Sequence, residues 1–218
     1  VRSRGLGDVH KRQVFVAVHD PYLDTPKVVA VEPLAWGADP LDVGLRVTLA
    51  DGRTDVILSD GGEAPYEAHE AAGVSFAGRF AHLRFDGDAV VHAYGVDALV
   101  LRVGEVELSG PGAFEGEVTA VHRVEAGAQA DAFETDASLP AGLAGRCLVV
   151  DLGGTLTQAF IIDRVEPTAT GAIIFTRDEP GMEIRGDAIK MVYYPGWTIP
   201  RPARFHIADT LRWEAGAG

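Results

Sequence analysis

The sequence predicts an all-β fold, arranged as an antiparallel β-sandwich or as stacked antiparallel sheets with few or no helices. Three observations lead to this prediction: many short apolar runs, a period-2 alternation within them, and turn-forming residues between them. At positions 43–50, for example, apolar side chains at 45, 47 and 49 alternate with Arg46 and Thr48, as in a half-buried strand. Short strands separated by Gly and Pro, of which the chain has 26 and 12, are typical of a sandwich.

Each predicted strand is a short apolar or alternating run bounded by Gly, Pro or Asp. In chain order, strands are predicted at Val14–Asp20, Lys27–Glu32, Val43–Ala50, Arg53–Ser59, Arg79–Phe85, Ala89–Tyr94, Ala98–Val103, Glu105–Ser109, Glu117–Glu125, Arg146–Asp151, Leu156–Val165, Ala172–Thr176, Ala188–Tyr194 and Ala203–Ala208. The dipeptides Asp51-Gly52 and Asp86-Gly87 each stand between two such runs and predict tight hairpins. Glu63–Ala72 is the strongest helical candidate, but its proline and low apolar content favour a loop or a single turn.

Changes in composition suggest how the chain is divided. Residues 1–13 are basic, lack a strand period and are predicted to be a disordered or artefactual tail. Residues 14–125 are predicted to form one antiparallel β region, and residues 126–144, rich in Ala, Gly and Asp, a loop-rich connection. Residues 145–213 are then a second β subdomain or a continuation of the same sandwich, followed by a flexible tail at 214–218.

The segment Phe15–Tyr22 is predicted to be a buried strand that runs into a corner formed at Pro21. The corner carries His19, Asp20 and Tyr22. Because this strand begins so close to the first residue, the chain is interpreted as part of a larger protein whose chemistry lies upstream.

The charge balance excludes several kinds of partner. The chain has 32 acidic and 19 basic side chains, a formal net charge of -13, whereas binding to nucleic-acid phosphates requires clustered Lys and Arg. The same charge disfavours attraction to anionic membranes and acidic polysaccharides. No apolar run is long enough to span a membrane. We therefore expect no nucleic-acid partner and no membrane insertion.

The single cysteine, Cys147, excludes an intramolecular disulfide, and its place in an apolar strand predicts a small core residue. His82 and His92 flank the hairpin at Asp86-Gly87 and are predicted to face each other across it. No histidine pair has the spacing of a metal site, and no serine lies in a nucleophile elbow. The sequence thus predicts no catalytic residue, no metal site and no cofactor within this chain.

The segment Val149–Thr155 is an apolar strand followed by Asp-x-Gly-Gly-Thr, and it resembles the first phosphate loop of sugar kinases of the actin-like ATPase family. In that family the loop opens a long fold with a second phosphate loop. Here the following residues again have strand patterns, so a hairpin turn at Gly153-Gly154 is the favoured interpretation.

The segment Tyr193–Pro202 is an aromatic, Pro-rich turn that contains Trp197. Aromatic rings on rigid turns are well suited to contact sugar rings. Two interpretations remain open. Trp197 either contacts a carbohydrate or plugs the end of a sandwich as a core-covering residue, and the second is favoured.

Several phrases together resemble the late β region of bacterial heparinase II/III-like proteins. They are Phe15–Tyr22, Asp51–Leu58, Gly73–Phe80, Leu148–Leu156, Ala159–Val165, Glu179–Met182, Val192–Gly196 and Ala203–Ile207. The resemblance covers most of residues 14–212, and the phrases are typical of the fold rather than of the catalytic site.

This resemblance implies a polysaccharide lyase in which a helical toroid precedes antiparallel sheet layers and uronate-containing chains are cleaved by β-elimination. It implies that the catalytic residues lie upstream, that the toroid and, through the parent enzyme, a polysaccharide are partners, and that the protein is periplasmic or secreted. This chain is then a structural β-sandwich with peripheral substrate contacts from Tyr22 or Trp197. The alternative is a noncatalytic carbohydrate-binding or adhesin-like β-sandwich module.

Overall fold

The computed structural model describes residues 14, 16–62, 66–194 and 196–216, which form two compact units. One unit spans Val1–Gly112 and Asp209–Gly218, and the other spans Ala113–Ala208. All strand pairs are antiparallel, and the helical content of the described residues is limited to single turns at Val124–Ala126 and Ala141–Leu143. The predicted all-β fold is confirmed. No helix among the described residues has the length and apolar character needed to span a membrane.

The strands are short, as the turn-forming residues between them predict. In chain order they are β1 (Val28–Leu34), β2 (Val43–Leu49), β3 (Arg53–Ser59), β4 (His69–Ala71), β5 (Val74–Ala77), β6 (Phe80–Asp86), β7 (Ala89–Val96), β8 (Val100–Val103), β9 (Val106–Ser109), β10 (Ala113–His122), β11 (Ala132–Thr135), β12 (Cys147–Leu152), β13 (Leu156–Thr168), β14 (Gly171–Thr176), β15 (Met182–Arg185), β16 (Ala188–Met191), β17 (Thr198–Pro200), β18 (Ala203–Ala208) and β19 (Thr210–Glu214).

The first unit, called the sandwich unit below, has a six-stranded sheet in the order β1-β2-β3-β6-β7-β19 and a four-stranded sheet in the order β4-β5-β8-β9. Both sheets contribute to one apolar core. Leu58 and Leu83 from the larger sheet and Phe76 and Leu101 from the smaller one are fully buried in it. Burying each such side chain contributes about 2 kcal/mol to folding.

Strand β2 directs its polar residues toward this core. Arg46 pairs with the buried Val56, and Gly44 pairs with Leu58, so both share the core-facing side of the sheet. A Cβ at Gly44 would lie 2.8 Å from the Cβ of Trp36, a buried residue of this core. The alternation in the sequence therefore predicts that β2 is a strand, but it does not predict which of its two faces lies toward the core.

The second unit, called the barrel unit below, contains a closed barrel in the order β10-β11-β14-β13-β12-β18 and a three-stranded sheet, β15-β16-β17. Closure of the barrel pairs both edges of what would otherwise be an open sheet. Phe133 and Ile162 of the barrel share a single core with Met182 and Ile189 of the small sheet. Part of the chain predicted as a sandwich is thus a barrel with its own core.

The predicted strand at Val14–Asp20 is wrong for the residues that the structure describes. Val14, Val16 and Val18 have no strand structure and are 43%, 49% and 40% exposed, while Phe15 lies outside the described residues. Asp20 instead accepts hydrogen bonds from the backbone N–H groups of Lys27 at 2.7 Å and Val28 at 2.9 Å. It thereby fixes the start of β1, where two donors need a partner.

The division between the units differs from the predicted one. Residues 126–144, predicted as a connection, contain β11, which pairs with β10 on one side and β14 on the other. Leu143 from the same stretch is buried in the barrel core. The chain leaves the sandwich unit after Gly112 and returns to it at Asp209.

Smaller predictions also change. Cys147 is exposed at the start of β12 and is not a core residue. Within Glu63–Ala72 the structure has the short strand β4, and residues 63–65 lie outside the described residues. Of the predicted tail at 214–218, Glu214 ends β19 and the N–H of Ala215 donates to the carbonyl of Val91 at 3.1 Å. The predicted tail at 1–13 and residues 217–218 lie outside the described residues.

Candidate functional site

Three aromatic side chains are exposed together on one turn of the barrel unit. This turn, called the aromatic turn, consists of residues 192–197 between β16 and β17, and Pro195 within it is not among the described residues. Tyr193, Tyr194 and Trp197 are 57%, 61% and 48% exposed. Trp197 is therefore not a core-covering plug, and the interpretation favoured from the sequence is wrong. Large exposed aromatic groups of this kind mark contact surfaces more often than structural ones.

Backbone hydrogen bonds hold the aromatic turn at its base. The N–H of Met191 donates to the carbonyl of Trp197 at 3.1 Å, and the N–H of Trp197 donates to the carbonyl of Tyr194 at 3.0 Å. The N–H of Val192 donates to the carbonyl of Gly181 at 2.9 Å, which ties the turn to the chain before β15. A turn fixed in this way presents its rings with little loss of conformational entropy on binding.

The rings of Tyr194 and Trp197 lie edge to face. Their centroids are 5.9 Å apart and their planes meet at 75°. This is a favourable arrangement of two aromatic quadrupoles. Because both side chains remain about half exposed, the pair stabilises the turn and still offers apolar ring surface to a ligand.

A buried cation lies beneath this turn. Arg123 is only 5% exposed, and it contacts Glu179, Glu183 at 3.3 Å and Glu125 at 3.2 Å; these four residues are called the Arg123 cluster. Burial by itself lowers the pKa of Arg123, but the hydrogen bond to Glu179 and the charge of Glu179 outweigh it and raise the pKa. The guanidinium is therefore charged. The paired carboxylates compensate for the water that a buried arginine loses.

Tyr193 links the aromatic turn to the Arg123 cluster. Its hydroxyl donates to Glu125 Oε2 at 3.1 Å, and the guanidinium of Arg123 lies 6.0 Å from the centroid of its ring. The carboxylates of Glu179 and Glu125 beside the hydroxyl raise the pKa of Tyr193. The phenol of Tyr193 is thus neutral, and its hydrogen bond to Glu125 orients it. The Arg123 cluster has three carboxylates and one guanidinium, so the surroundings of the turn are negatively charged.

A second polar network lies on the sandwich unit. The rings of His82 and His92 are 5.4 Å apart, which confirms that they face each other across the hairpin. Asp55 lies 3.5 Å from His82 and accepts two hydrogen bonds from Arg84, at 2.7 and 2.8 Å. No group of three or more His, Cys, Asp or Glu residues in the described chain is arranged to hold a metal ion.

The segment Val149–Thr155 forms a hairpin turn. Gly153 and Gly154 have φ angles of +57° and +68°, and the N–H of Thr155 donates to the carbonyl of Leu152 at 3.0 Å. Two consecutive residues with positive φ are the signature of a tight hairpin turn. Strand β13 follows directly, so the turn does not lead into a helix, and the hairpin interpretation is confirmed.

The two residues predicted from the sequence as substrate contacts have different surroundings. Trp197 is joined by Tyr194 and Tyr193 in the barrel unit. Tyr22 is 54% exposed in the sandwich unit and makes no ring contact to any other described residue.

The Arg123 cluster could not be predicted from the sequence, because Arg123 is separated by 56 and 60 positions from Glu179 and Glu183. Only the Tyr-Tyr pair beside Trp197 could have signalled a larger aromatic surface.

Comparison with known proteins adds no relative to this picture. No family model matches the chain, and no curated protein or solved structure matches it either.

Proposed function

We propose that this chain is a noncatalytic carbohydrate-binding β module whose aromatic turn binds sugar rings. The observation that carries the proposal is the joint exposure of Tyr193, Tyr194 and Trp197 on one anchored turn. Sugar rings present flat C–H faces that pack on aromatic rings, and a rigid turn lowers the entropy cost of holding them.

The charge around the turn favours neutral sugars. Glu125 and Glu179 lie beside Tyr193, and Arg123, the nearby cation, is buried and already paired. The whole chain adds a net charge of -13. Two like charges 4 Å apart repel by about 1 kcal/mol even in bulk water. Uronate or sulfate groups on a glycan would therefore weaken binding at this turn, whereas hydroxyl groups would not.

The proposal is tested by titrating the full chain with soluble neutral polysaccharides and with uronate-containing polysaccharides, following affinity by isothermal calorimetry and affinity electrophoresis. We expect binding of at least one neutral polysaccharide and weaker binding of the uronate chains. Trp197→Ala should lower that affinity about tenfold or more, equivalent to about 1.4 kcal/mol. Tyr194→Ala should have a similar effect because it removes the neighbouring ring.

Tyr22→Ala is the matched control, since it removes an equally exposed aromatic ring from the other unit. It should leave the affinity unchanged. The absence of binding to every polysaccharide tested, or an affinity that Trp197→Ala does not change, would contradict the proposal.

A second proposal is that the chain is the structural β region of a heparinase II/III-like polysaccharide lyase with its catalytic residues upstream. The supporting observation is the exposure of two valines on β1, the edge strand of the six-stranded sheet. Val29 and Val31 are 66% and 43% exposed, and Val31 pairs with Val47 of β2. Apolar patches of this kind suit packing against another domain.

The upstream reading frame tests this second proposal. A sequence that encodes a helical toroid in the same polypeptide, with lyase activity only in the longer protein, would support it. The purified chain alone should produce no unsaturated ends from uronate polymers. Unsaturated products from the chain alone would refute the absence of catalysis, and an upstream frame without a toroid would refute the assignment to a lyase.

A further inference from the structure

The open side of the sandwich unit holds a groove between its two sheets. It has a volume of about 500 Å³ and is lined by residues of β2, β3, β6 and β7 on one side and by β8 and the turn before β5 on the other. Its principal side chains are Arg46, Thr54, Val56, Phe85, Val90 and Val103. A volume of this order is sufficient for a small organic ligand.

The position of Arg46 in this groove follows from the register of β2. Because Arg46 pairs with Val56, its side chain lies on the core-facing side of the sheet. Val56 and Val103 are 2% and 5% exposed, so the floor of the groove is continuous with the apolar core. A cation at the mouth of an apolar groove has less surrounding water to stabilise it than a cation on the surface.

Arg46 has no ion-pair partner among the described residues. Glu32 stands opposite it on β1, and Asp88 lies on the groove rim, but neither forms an ion pair with it. The other half-buried arginines of the described chain all have an acceptor: Arg53 contacts Asp51, Arg84 contacts Asp55, Arg146 contacts the carbonyl of Ala208, and Arg201 contacts Glu117. The guanidinium of Arg46 is therefore available for an external anion.

We propose that this groove binds a small carboxylate that carries an apolar body, with Arg46 as the carboxylate-binding residue. The planar guanidinium matches a carboxylate through two parallel hydrogen bonds. Phe85, Val90 and Val103 provide the apolar wall that would cover the rest of the ligand. Asp88 on the rim disfavours a second negative group, so the ligand class is a monocarboxylate.

This proposal is independent of the proposed function. The groove belongs to the sandwich unit and the aromatic turn belongs to the barrel unit, so each is tested by its own ligand and its own variants. Loss of sugar binding in Trp197→Ala would not affect carboxylate binding.

The experiment titrates the full chain with 3-phenylpropanoate and hexanoate, and in parallel with the corresponding neutral amides. Binding is followed by calorimetry and by chemical-shift changes of groove residues. We expect both carboxylates to bind about tenfold or more tightly than their amides, since only the carboxylate forms the charged pair. Arg46→Gln should remove this preference, and Arg46→Lys should keep part of it because the charge remains.

Arg102→Gln is the matched control, because Arg102 is an exposed arginine of the same unit paired with Glu107 at 2.8 Å. It should leave carboxylate binding unchanged. Val90→Phe, which fills the groove from its rim, provides a second test that does not alter charge, and it should weaken carboxylates and amides alike. The proposal is overturned if groove residues show no shift at saturating carboxylate, or if Arg46→Gln binds as tightly as the unmodified chain.

Discussion

Arg123 shows how a single residue organises the site in the barrel unit. It is 5% exposed, yet it joins Glu179 and Glu183, which lie around β15, to Glu125 in the turn after β10. A buried charge is tolerated only when its partners replace the lost water. The cluster therefore holds together chain segments that are far apart in sequence, and through Tyr193 it also orients the aromatic turn.

Removing one carboxylate of the cluster should destabilise the protein more than removing a surface carboxylate. Glu179→Gln leaves Arg123 buried with less compensation, and we expect a loss of about 2 kcal/mol in the free energy of unfolding. Glu166→Gln, which breaks an exposed pair with Arg164, should cost much less because water screens that pair. Urea unfolding of both variants provides the measurement. An equal decrease in the free energy of unfolding in the two variants would show that the buried ion pair stabilises the protein no more than the exposed one.

His82 predicts a pH dependence of the sandwich unit. Burial is the largest cause that lowers the pKa of His82, although Asp55 acts in the opposite direction. The folded state thus binds this proton less readily than the unfolded state, whose histidine titrates near 6.5. The contribution of His82 to the free energy of unfolding is therefore fully present above pH 6.5. It is lost as the pH falls from there through the lower pKa of the folded state.

The measurement compares the free energy of unfolding of the unmodified chain and of His82→Gln between pH 8 and pH 5. The unmodified chain should lose more stability on acidification than the variant, because only the unmodified chain must protonate this buried imidazole. His19→Gln, at an exposed position outside the strands, should behave like the unmodified chain. Parallel curves for His82→Gln and the unmodified chain would contradict this prediction.

At the scale of the element, the sequence predicts strands well where alternation and turn residues agree. Both Asp-Gly hairpins are present, and β3 and β18 have the predicted bounds. The missed strands are short, such as β4 and β17 with 3 residues each, so they contain too few residues to show an alternation. The segment at 14–20 fails for the opposite reason. It has the alternation of a strand, but no described residue pairs with it, and alternation cannot provide a partner.

The hairpin between β12 and β13 gives a matched pair of glycines. Both have positive φ, so an alanine at either costs about 1 kcal/mol in backbone strain. A Cβ at Gly153 would also lie 2.5 Å from the carbonyl oxygen of Pro200, whereas a Cβ at Gly154 would meet nothing within 4 Å. Gly153→Ala should therefore lower the melting temperature clearly more than Gly154→Ala. Equal shifts in thermal unfolding would mean that the chain at Pro200 moves aside without cost.

At the scale of the whole molecule, the barrel unit is an insertion in the sandwich unit. The chain leaves at Gly112 and returns at Asp209, whose N–H donates to the carbonyl of Gly112 at 3.0 Å. The inserted segment is closed in the same way, because its first and last residues, Ala113 and Ala208, pair across β10 and β18. Each unit also has its own apolar core. The alternation of short strands gives no sign of this nesting, since strands of both units have the same pattern.

The nested arrangement predicts that each unit folds without the other. Residues 113–208 expressed alone should unfold cooperatively and retain the response of sugar binding to Trp197→Ala. A chain in which a short Gly-containing turn replaces residues 113–208 should also unfold cooperatively, because Gly112 and Asp209 are already in hydrogen-bond contact and β19 can still pair with β7. That shortened chain should keep the carboxylate preference that depends on Arg46. Circular dichroism and urea titration of both proteins provide the measurement, and a noncooperative transition in either one would show that its core depends on the other unit.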